Sequence, residues 1–228
     1  MSAVPVIAID GPTASGKGTI AQRVADALKF HYLDSGSLYR LVAWSALQEP
    51  GSDADEARLV SIARKLAPVF SNGRVRLDGN DVTDAIRSED VSSVASKIAV
   101  CPSVRQALLD LQRAQRRPPG LVADGRDMGT IVFPDACLKI YLTASLSARA
   151  TRRYKQLIEK GFPATIDALS QDRVEREIQA RDERDSQREA APLKRADDAY
   201  LIDSSELDAD EVVALVMDWS RDRLQHRI

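Results

Sequence analysis

The chain has 228 residues, which is enough for one large domain with smaller flaps and a substantial apolar interior. Its 32 Lys and Arg residues against 34 Asp and Glu residues give a formal net charge of −2, so no overall basic field would collect nucleic acid or an anionic membrane. The two cysteines, Cys101 and Cys137, form no C-x-x-C pattern and favour neither a disulfide framework nor a zinc site.

The first predicted element is a buried strand at residues 6–9, which leads directly into a glycine-rich segment and then a helical apolar stripe. The segment consists of Gly11, Pro12, Thr13, Ala14, Ser15, Gly16, Lys17, Gly18 and Thr19. Its pattern is typical of a phosphate-binding loop, because glycines let successive N–H groups point at an anion and a lysine reaches the outer phosphates. We therefore expect these nine residues to bind a nucleoside triphosphate.

One position of this loop departs from the strict pattern. Gly18 follows the lysine, where the strict pattern has a Ser or Thr hydroxyl that meets magnesium, and Thr19 comes one residue later. An ordinary glycine-rich turn between a strand and a helix is the alternative interpretation.

A small polar turn follows the first predicted helix. It contains Asp34, Ser35, Gly36 and Ser37, and Arg40 comes one helical turn later. The planar fork of an arginine is suited to a phosphoryl acceptor, so Arg40 is a candidate ligand for a second phosphate. The alternative is that Asp34 and Ser35 merely cap the helix that starts there.

Three further apolar runs of strand length occur at residues 121–123, 138–142 and 200–202, and helical patterns lie between or after them. This alternation predicts a parallel sheet covered by helices, with ligands at the carboxyl ends of the strands. Residues 68–86 instead show short alternating segments that are separated by turn dipeptides. This pattern predicts a small antiparallel meander, inserted within about 60–95. Residues 152–188 are dense in both charge signs, which predicts long exposed helices around Gly161, Phe162 and Pro163.

Two charged segments are candidates for the chemistry. Asp124, Arg126 and Asp127 follow the strand at 121–123; an acid there can hold magnesium through water or orient a sugar hydroxyl, while arginine binds phosphate. An Asp-Gly turn with a salt bridge is the alternative.

The second segment places Arg181, Arg184, Asp185 and Arg188 on one helical face that could converge on an anion, although ladders of solvent-facing ion pairs have the same spacing. Further arginines are either surface charges or phosphate ligands, and the sequence favours neither: Arg105, Arg113, Arg116 and Arg117. The same alternatives apply to Arg152 and Arg153, which could close over ATP.

Taken together, the loop at 11–19, the turn at 33–40, the stretch at 123–136 and the segment from 181 to 193 resemble bacterial cytidylate kinases, in the same order and over nearly the whole chain. The resemblance implies an α/β fold: an adenylate-kinase-like five-stranded parallel P-loop sheet with helices on both faces, an inserted NMP-binding subdomain containing a small antiparallel sheet, and a short lid. It implies a core of about 1–40, 96–150 and 190–228, an insert of about 41–95, and a lid with charged helices at about 151–189.

The activity implied by the resemblance is transfer of the γ-phosphoryl group of Mg-ATP to CMP or dCMP, giving CDP or dCDP and ADP, in pyrimidine nucleotide metabolism. The implied catalytic residues are Lys17, Arg126, Arg181 and Arg188, and Arg152 and Arg153 start the lid and join the loop in binding ATP. The implied CMP-binding residues are Ser35, Gly36, Arg40, Ser96, Arg105, Arg126, Asp127, Arg181, Asp185 and Arg188. Ser96, Arg126 and Asp127 would read cytosine, Asp185 with Arg181 the ribose, and the other arginines the α-phosphate.

Nucleoside monophosphate kinases share the Gly-Lys-Gly-Thr ending and hold Mg²⁺ largely through water and phosphate, so the resemblance implies no direct metal ligand; Asp34 and Asp124 are the water-mediated candidates. It also implies a monomer. No apolar run approaches the roughly 18 residues of a membrane span, and no exported leader is evident, so we expect a cytoplasmic protein without nucleic-acid or membrane partners. Two rivals are a shikimate- or gluconate-type kinase and a GTP-dependent switch, whose guanine-reading motif is not found in the sequence.

Overall fold

The computed structural model describes residues 4–48, 55–71, 73–159 and 171–225. The strands in this part of the chain are β1 (Val6–Asp10), β2 (His31–Asp34), β3 (Val69–Ser71), β4 (Arg74–Leu77), β5 (Asn80–Asp81), β6 (Leu121–Gly125), β7 (Leu138–Thr143) and β8 (Tyr200–Asp203). The α-helices are α1 (Lys17–Leu28), α2 (Ser35–Leu47), α3 (Glu56–Lys65), α4 (Glu89–Ile98), α5 (Pro102–Arg113), α6 (Leu146–Glu159), α7 (Gln171–Ser186) and α8 (Ala209–Gln225).

The chain forms two compact units. The first comprises the residues up to Leu33 and those from Gln115 onward, and the second runs from Asp34 to Ala114. No helix in the described ranges is long and apolar enough to cross a membrane.

The first unit contains a five-stranded sheet in the order β2-β6-β1-β7-β8. Strand β1 pairs in parallel with both β6 and β7, so that Ile7 lies opposite Val122 on one side and Leu138 on the other. All residues of β1 and β6 are buried, as expected of central strands that are covered on both faces. The predicted parallel sheet is confirmed.

One face of this sheet packs against α1 and α8. The alternate residues Ile7 and Ile9 of β1 meet Val24 of α1 and Val216 of α8 in a continuous apolar core. This packing fixes the start of α1, and therefore the loop that precedes it, against the carboxyl end of β1.

The second unit combines α2–α5 with a three-stranded antiparallel sheet in the order β3-β4-β5. The predicted meander at residues 68–86 is confirmed; Val75 and Leu77 of β4 are buried while their neighbours along the strand are exposed. The unit is wider than the insert expected at 41–95, because α4 packs on α2 and α5 packs on α3. The finer division into core, insert and lid stays a prediction.

The charge-dense segment forms α6 and α7, which pack along each other in the first unit through Ala150, Leu157, Val174 and Ile178. The predicted long helices are confirmed for the part of this segment that the structure describes. Gly161, Phe162 and Pro163, around which the helices are predicted, lie outside the described residues.

Candidate active site

The loop at residues 11–16 connects the carboxyl end of β1 to the first turn of α1. Gly11 is required by close packing, since a Cβ there would lie 2.0 Å from the carbonyl oxygen of Leu142. Gly16 precedes α1 with a φ of 91°, which is in the left-handed region that glycine adopts without strain. The loop therefore presents the N-terminal N–H groups of α1 at the sheet edge, as an anion-binding site requires.

The hydroxyl of Ser15 supports this interpretation. Ser15 is 1% exposed, and its Oγ has no hydrogen-bond partner among the described residues. Because a buried hydroxyl without a partner is costly, this atom is suited to a ligand oxygen.

Lys17 curls back over the loop, and its Nζ donates a hydrogen bond to the carbonyl oxygen of Pro12 over 3.1 Å. Desolvation by the surrounding protein lowers the pKa of Lys17 to about 7, and the nearby charge of Arg126 acts in the same direction while Asp124 opposes it. The amine is therefore easily deprotonated until an anion arrives.

Gly18, where the loop departs from the strict pattern, lies in ordinary van der Waals reach of Tyr32 and Asp124. A Cβ on Gly18 would lie 3.4 Å from the Tyr32 hydroxyl and 3.6 Å from Oδ2 of Asp124, and the same hydroxyl donates to Oδ1 of Asp124 over 3.0 Å. A buried carboxylate thus stands beside the place where other phosphate loops carry a hydroxyl. In the parts of the chain that are described, no three His, Cys, Asp or Glu side chains cluster as a metal site. Carboxylate oxygens suit a hydrated Mg²⁺ ion, and the Asp124 carboxylate beside the loop is such a group.

Arg126 links three elements of the first unit. Its Nε donates to Oδ2 of Asp185 in α7 over 2.7 Å, and its Nη2 donates to the hydroxyl of Thr13 in the phosphate loop over 3.0 Å. Arg188 donates to the other carboxylate oxygen of Asp185, which is 1% exposed. Burial raises the pKa of Asp185, but the charges of Arg126, Arg188 and Arg181 outweigh it and hold the pKa below its usual range.

The structure therefore contradicts a solvent-facing ladder for Asp185 and Arg188, which are buried, whereas Arg184 is exposed. The expectation that all four charged side chains share one helical face that converges on an anion is wrong for Arg184. At 3.6 residues per turn it lies about 60° from Arg181, at the edge of the arc that faces the protein.

The second unit holds its own cluster at the start of α2. The carboxylate of Asp34 accepts hydrogen bonds from the N–H (3.1 Å) and the hydroxyl (2.6 Å) of Ser37 and pairs with Arg40. Burial raises the pKa of Asp34, but the charge of Arg40 and the Ser37 hydrogen bonds outweigh it and lower the pKa. A Cβ on Gly36 would lie 3.2 Å from Nη1 of Arg40, so glycine leaves room for this pair. The capping interpretation is confirmed for Asp34, and the cap also holds Arg40.

Other polar groups of the second unit are buried as well. Ser35 is the first residue of α2, Ser96 lies in α4, and Arg105 lies in α5 with its guanidinium 5.6 Å from the ring centroid of Tyr39. The expected site residues thus fall into two groups. The first unit carries the whole phosphate loop with Asp124, Arg126, Asp127, Arg152, Arg153, Arg181, Asp185 and Arg188; the second carries Asp34, Ser35, Gly36, Arg40, Ser96 and Arg105.

The remaining arginines of the first unit differ in their contacts. Arg152 donates to the carbonyl oxygen of Ser15 over 3.4 Å and to the hydroxyl of Ser204 over 3.0 Å, so it borders the phosphate loop, and Arg153 follows it half-buried in α6. Arg116 instead donates to the carbonyl oxygen of Val4 over 2.7 Å and pairs with Asp135.

Sequence reasoning assigned no role to Asp10, the last residue of β1. Its two carboxylate oxygens accept the N–H groups of Met128 and Gly129, each over 2.8 Å, at the start of a π-helical turn that follows Arg126 and Asp127. Burial raises the pKa of Asp10 to about 6, although the two hydrogen bonds act to lower it. An acid at the end of a fully apolar strand was the available signal.

It also missed Arg149 and Asp182, which contact Thr13 in the phosphate loop. Arg149 donates to the carbonyl oxygen of Thr13 and Asp182 accepts the N–H of Thr13, each over 3.0 Å. Nothing in the sequence separates these two from the other charges of their helices.

Comparison with known proteins identifies relatives over the whole of this fold. Residues 7–222 match the family model described as Cytidylate kinase. A cytidylate kinase of Ralstonia pickettii is 58% identical over 217 residues, which cover 95% of this chain and 92% of the relative. A cytidylate kinase of Ralstonia nicotianae is 57% identical over 220 residues, covering 96% and 94%. An uncharacterized protein from Eubacterium ventriosum shares the fold, with a TM-score of 0.52 at 11% identity over 94% of this chain and 97% of that one.

Proposed function

The chain belongs to the cytidylate kinase family, and we propose that it transfers the γ-phosphoryl group of Mg-ATP to the phosphate of CMP or dCMP, giving CDP or dCDP and ADP. The observation that carries this function is the family match over nearly the whole chain, together with a phosphate loop that is bonded directly to Arg126 and, through it, to Asp185. Neither a shikimate-type kinase nor a GTP switch accounts for that match.

The donor binds at the phosphate loop. The N–H groups at the start of α1 and the Ser15 hydroxyl receive the β-phosphate, and Lys17 leaves the Pro12 carbonyl to reach the outer phosphates. Arg152 and Arg153 lie on α6, and the contact of Arg152 with Ser15 supports a role for this pair beside the triphosphate.

The roles proposed for the acceptor are those that the family resemblance implies. Asp185 and Arg181 bind the ribose, Ser96, Arg126 and Asp127 read the cytosine edge, and Arg40, Arg105 and Arg188 bind the α-phosphate. Support comes from the buried or half-buried ion pairs of Arg40, Arg126 and Arg188, which hold these three guanidinium groups in fixed orientations before any ligand arrives. Ser35 and Gly36 join the proposed acceptor residues because they lie in the helix start that holds Arg40.

The chemistry needs no strong base, because the attacking oxygen of the acceptor phosphate is already an anion at neutral pH. The protein must align two repelling phosphates and neutralise the charge that spreads in the transition state. Lys17, Arg126, Arg181 and Arg188 supply positive charge for this purpose. A bound Mg²⁺ ion would supply further charge neutralisation, and Asp124 would hold it through water.

A coupled assay of ADP release with CMP, dCMP, UMP, AMP and shikimate tests the proposal. We expect release with CMP and dCMP and little with AMP or shikimate, and we expect Lys17→Ala to reduce turnover by at least about a hundredfold, as loss of a transition-state contact does. ADP release without any acceptor would favour a switch, and near-normal turnover of Lys17→Ala would contradict the role of the lysine.

We further propose that the enzyme is a cytoplasmic monomer without nucleic-acid or membrane partners. Its substrates are small and water-soluble, and its net charge is −2. Sedimentation equilibrium of the purified chain tests the monomer directly.

A further inference from the structure

The peptide groups of Thr13 are held from outside the phosphate loop. The N–H of Thr13 donates to Oδ1 of Asp182 in α7, and its carbonyl oxygen accepts from Nη1 of Arg149 in α6, each over 3.0 Å. The same Nη1 pairs with the other carboxylate oxygen of Asp182. Two helices therefore grip the main chain of one loop residue, and we call these two side chains the Thr13 clamp.

The residue after the clamped one is strained. Ala14 has a φ of 60°, in the left-handed region, where a Cβ collides with the following carbonyl oxygen. An alanine adopts this conformation at a disadvantage of roughly tenfold or more in population, whereas glycine does so freely. The loop therefore contains a residue that would leave its conformation unless its neighbours held it, and such strain persists only where the surroundings over-determine it.

The Thr13 clamp is built to hold. Arg149 is 8% exposed, and its Nε also donates to the carbonyl oxygen of Ala144 over 3.0 Å, so the guanidinium is fixed at three acceptors. The apolar contacts between α6 and α7 keep Arg149 and Asp182 at a constant separation. A cavity of about 420 Å³, lined by both helices, opens beside the pair, so loss of either side chain would admit water to the Thr13 peptide.

We propose that Arg149 and Asp182 are positioning residues for the donor nucleotide: by holding the N–H and the carbonyl oxygen of Thr13, they keep Ala14 in the left-handed conformation that aims the loop at the phosphates. The inference rests on the proposed function, since it assigns a donor role to residues outside the phosphate loop. It differs from a direct contact with ATP, because the effect on ATP passes through the backbone at Ala14.

The test combines loss of the Thr13 clamp with relief of the strain. We expect Arg149→Met to weaken binding of Mg and a non-hydrolysable ATP analogue about tenfold by calorimetry, and to raise the KM for ATP similarly while the KM for CMP changes less than about twofold. Adding Ala14→Gly should restore most of the lost affinity, since glycine needs no clamp there. Asp182→Asn keeps an oxygen for the Thr13 N–H and should lose less, with the same rescue.

Ala191→Gly is the matched control, because Ala191 also has a positive φ, 54°, but lies outside the loop. It should not rescue Arg149→Met. Unchanged analogue affinity in Arg149→Met, or in Asp182→Asn if the first variant does not fold, would overturn the proposal, as would failure of Ala14→Gly to rescue, which would indicate direct contact with ATP. Calorimetry needs no acceptor. Failure of the chain to phosphorylate CMP would therefore count against the proposed function without changing what the analogue affinities say about Arg149 and Asp182.

Discussion

Binding of ATP should take up a proton through Lys17, and the uptake should depend steeply on pH. The pKa of Lys17 is lowered to about 7 in the free protein. At pH 8 the side chain is therefore about 90% neutral, and at pH 6 it is about 90% protonated. A triphosphate oxygen at about 4 Å contributes roughly 4 kcal/mol per charge at an effective dielectric constant near 20, or about three pKa units. The pKa of Lys17 therefore rises on binding by enough to keep the amine protonated at pH 8.

The expected uptake is about 0.9 proton per bound nucleotide at pH 8 and about 0.1 at pH 6. Calorimetry of a non-hydrolysable ATP analogue in buffers of different ionisation enthalpy measures it, since the slope of observed enthalpy against ionisation enthalpy is the number of protons exchanged. Lys17→Arg is the matched control, because arginine keeps its charge at both pH values and any proton exchange on the nucleotide is common to the two proteins.

The difference between wild type and Lys17→Arg therefore isolates the lysine. A difference that is the same at pH 6 and pH 8 would refute the reasoning. So would an uptake at pH 8 that is as large in the arginine variant as in wild type.

Three further substitutions test the surroundings of the loop. Gly11→Ala should lower the free energy of unfolding in urea by about 1–3 kcal/mol and weaken binding of the ATP analogue, because its Cβ would overlap the Leu142 carbonyl oxygen. An unchanged unfolding free energy and analogue affinity would contradict the close approach. The carboxyl of Asp10 binds its proton more tightly in the folded protein, so its stabilisation is mostly present at pH 4 and is lost as the pH rises through about 6. Relative to Asp10→Asn, wild type should lose about 2 kcal/mol of unfolding free energy between pH 4 and pH 6, and parallel pH profiles would exclude this. Asp185→Ala should cost about 3–5 kcal/mol by stranding two arginines and should alter the CMP-to-dCMP ratio of kcat/KM, whereas a loss under 1 kcal/mol with an unchanged ratio would rule out both roles.

Local patterns predicted much of the fold. Apolar runs marked β1, β6, β7 and β8, and turn dipeptides marked the meander of β3–β5, because strand burial and turn geometry depend on neighbouring residues. No apolar run marks β2, since its four residues include just one buried side chain, Leu33. The family resemblance implied a fifth strand without placing it. Sequence spacing also does not predict burial at Arg184, which was grouped with Asp185 and Arg188 although its side chain is exposed.

The sequence by itself determined the phosphate loop, the class of sheet and the order of the charged motifs, since each is written in contiguous residues. Only the tertiary structure decided which charges are partners. Arg149 meets the Thr13 carbonyl across 136 positions, Asp182 meets the Thr13 N–H across 169, and Arg126 meets Asp185 across 59. Such contacts depend on how strands and helices pack, and charges that look alike along a helix become distinct only when packing buries some of them beside the loop.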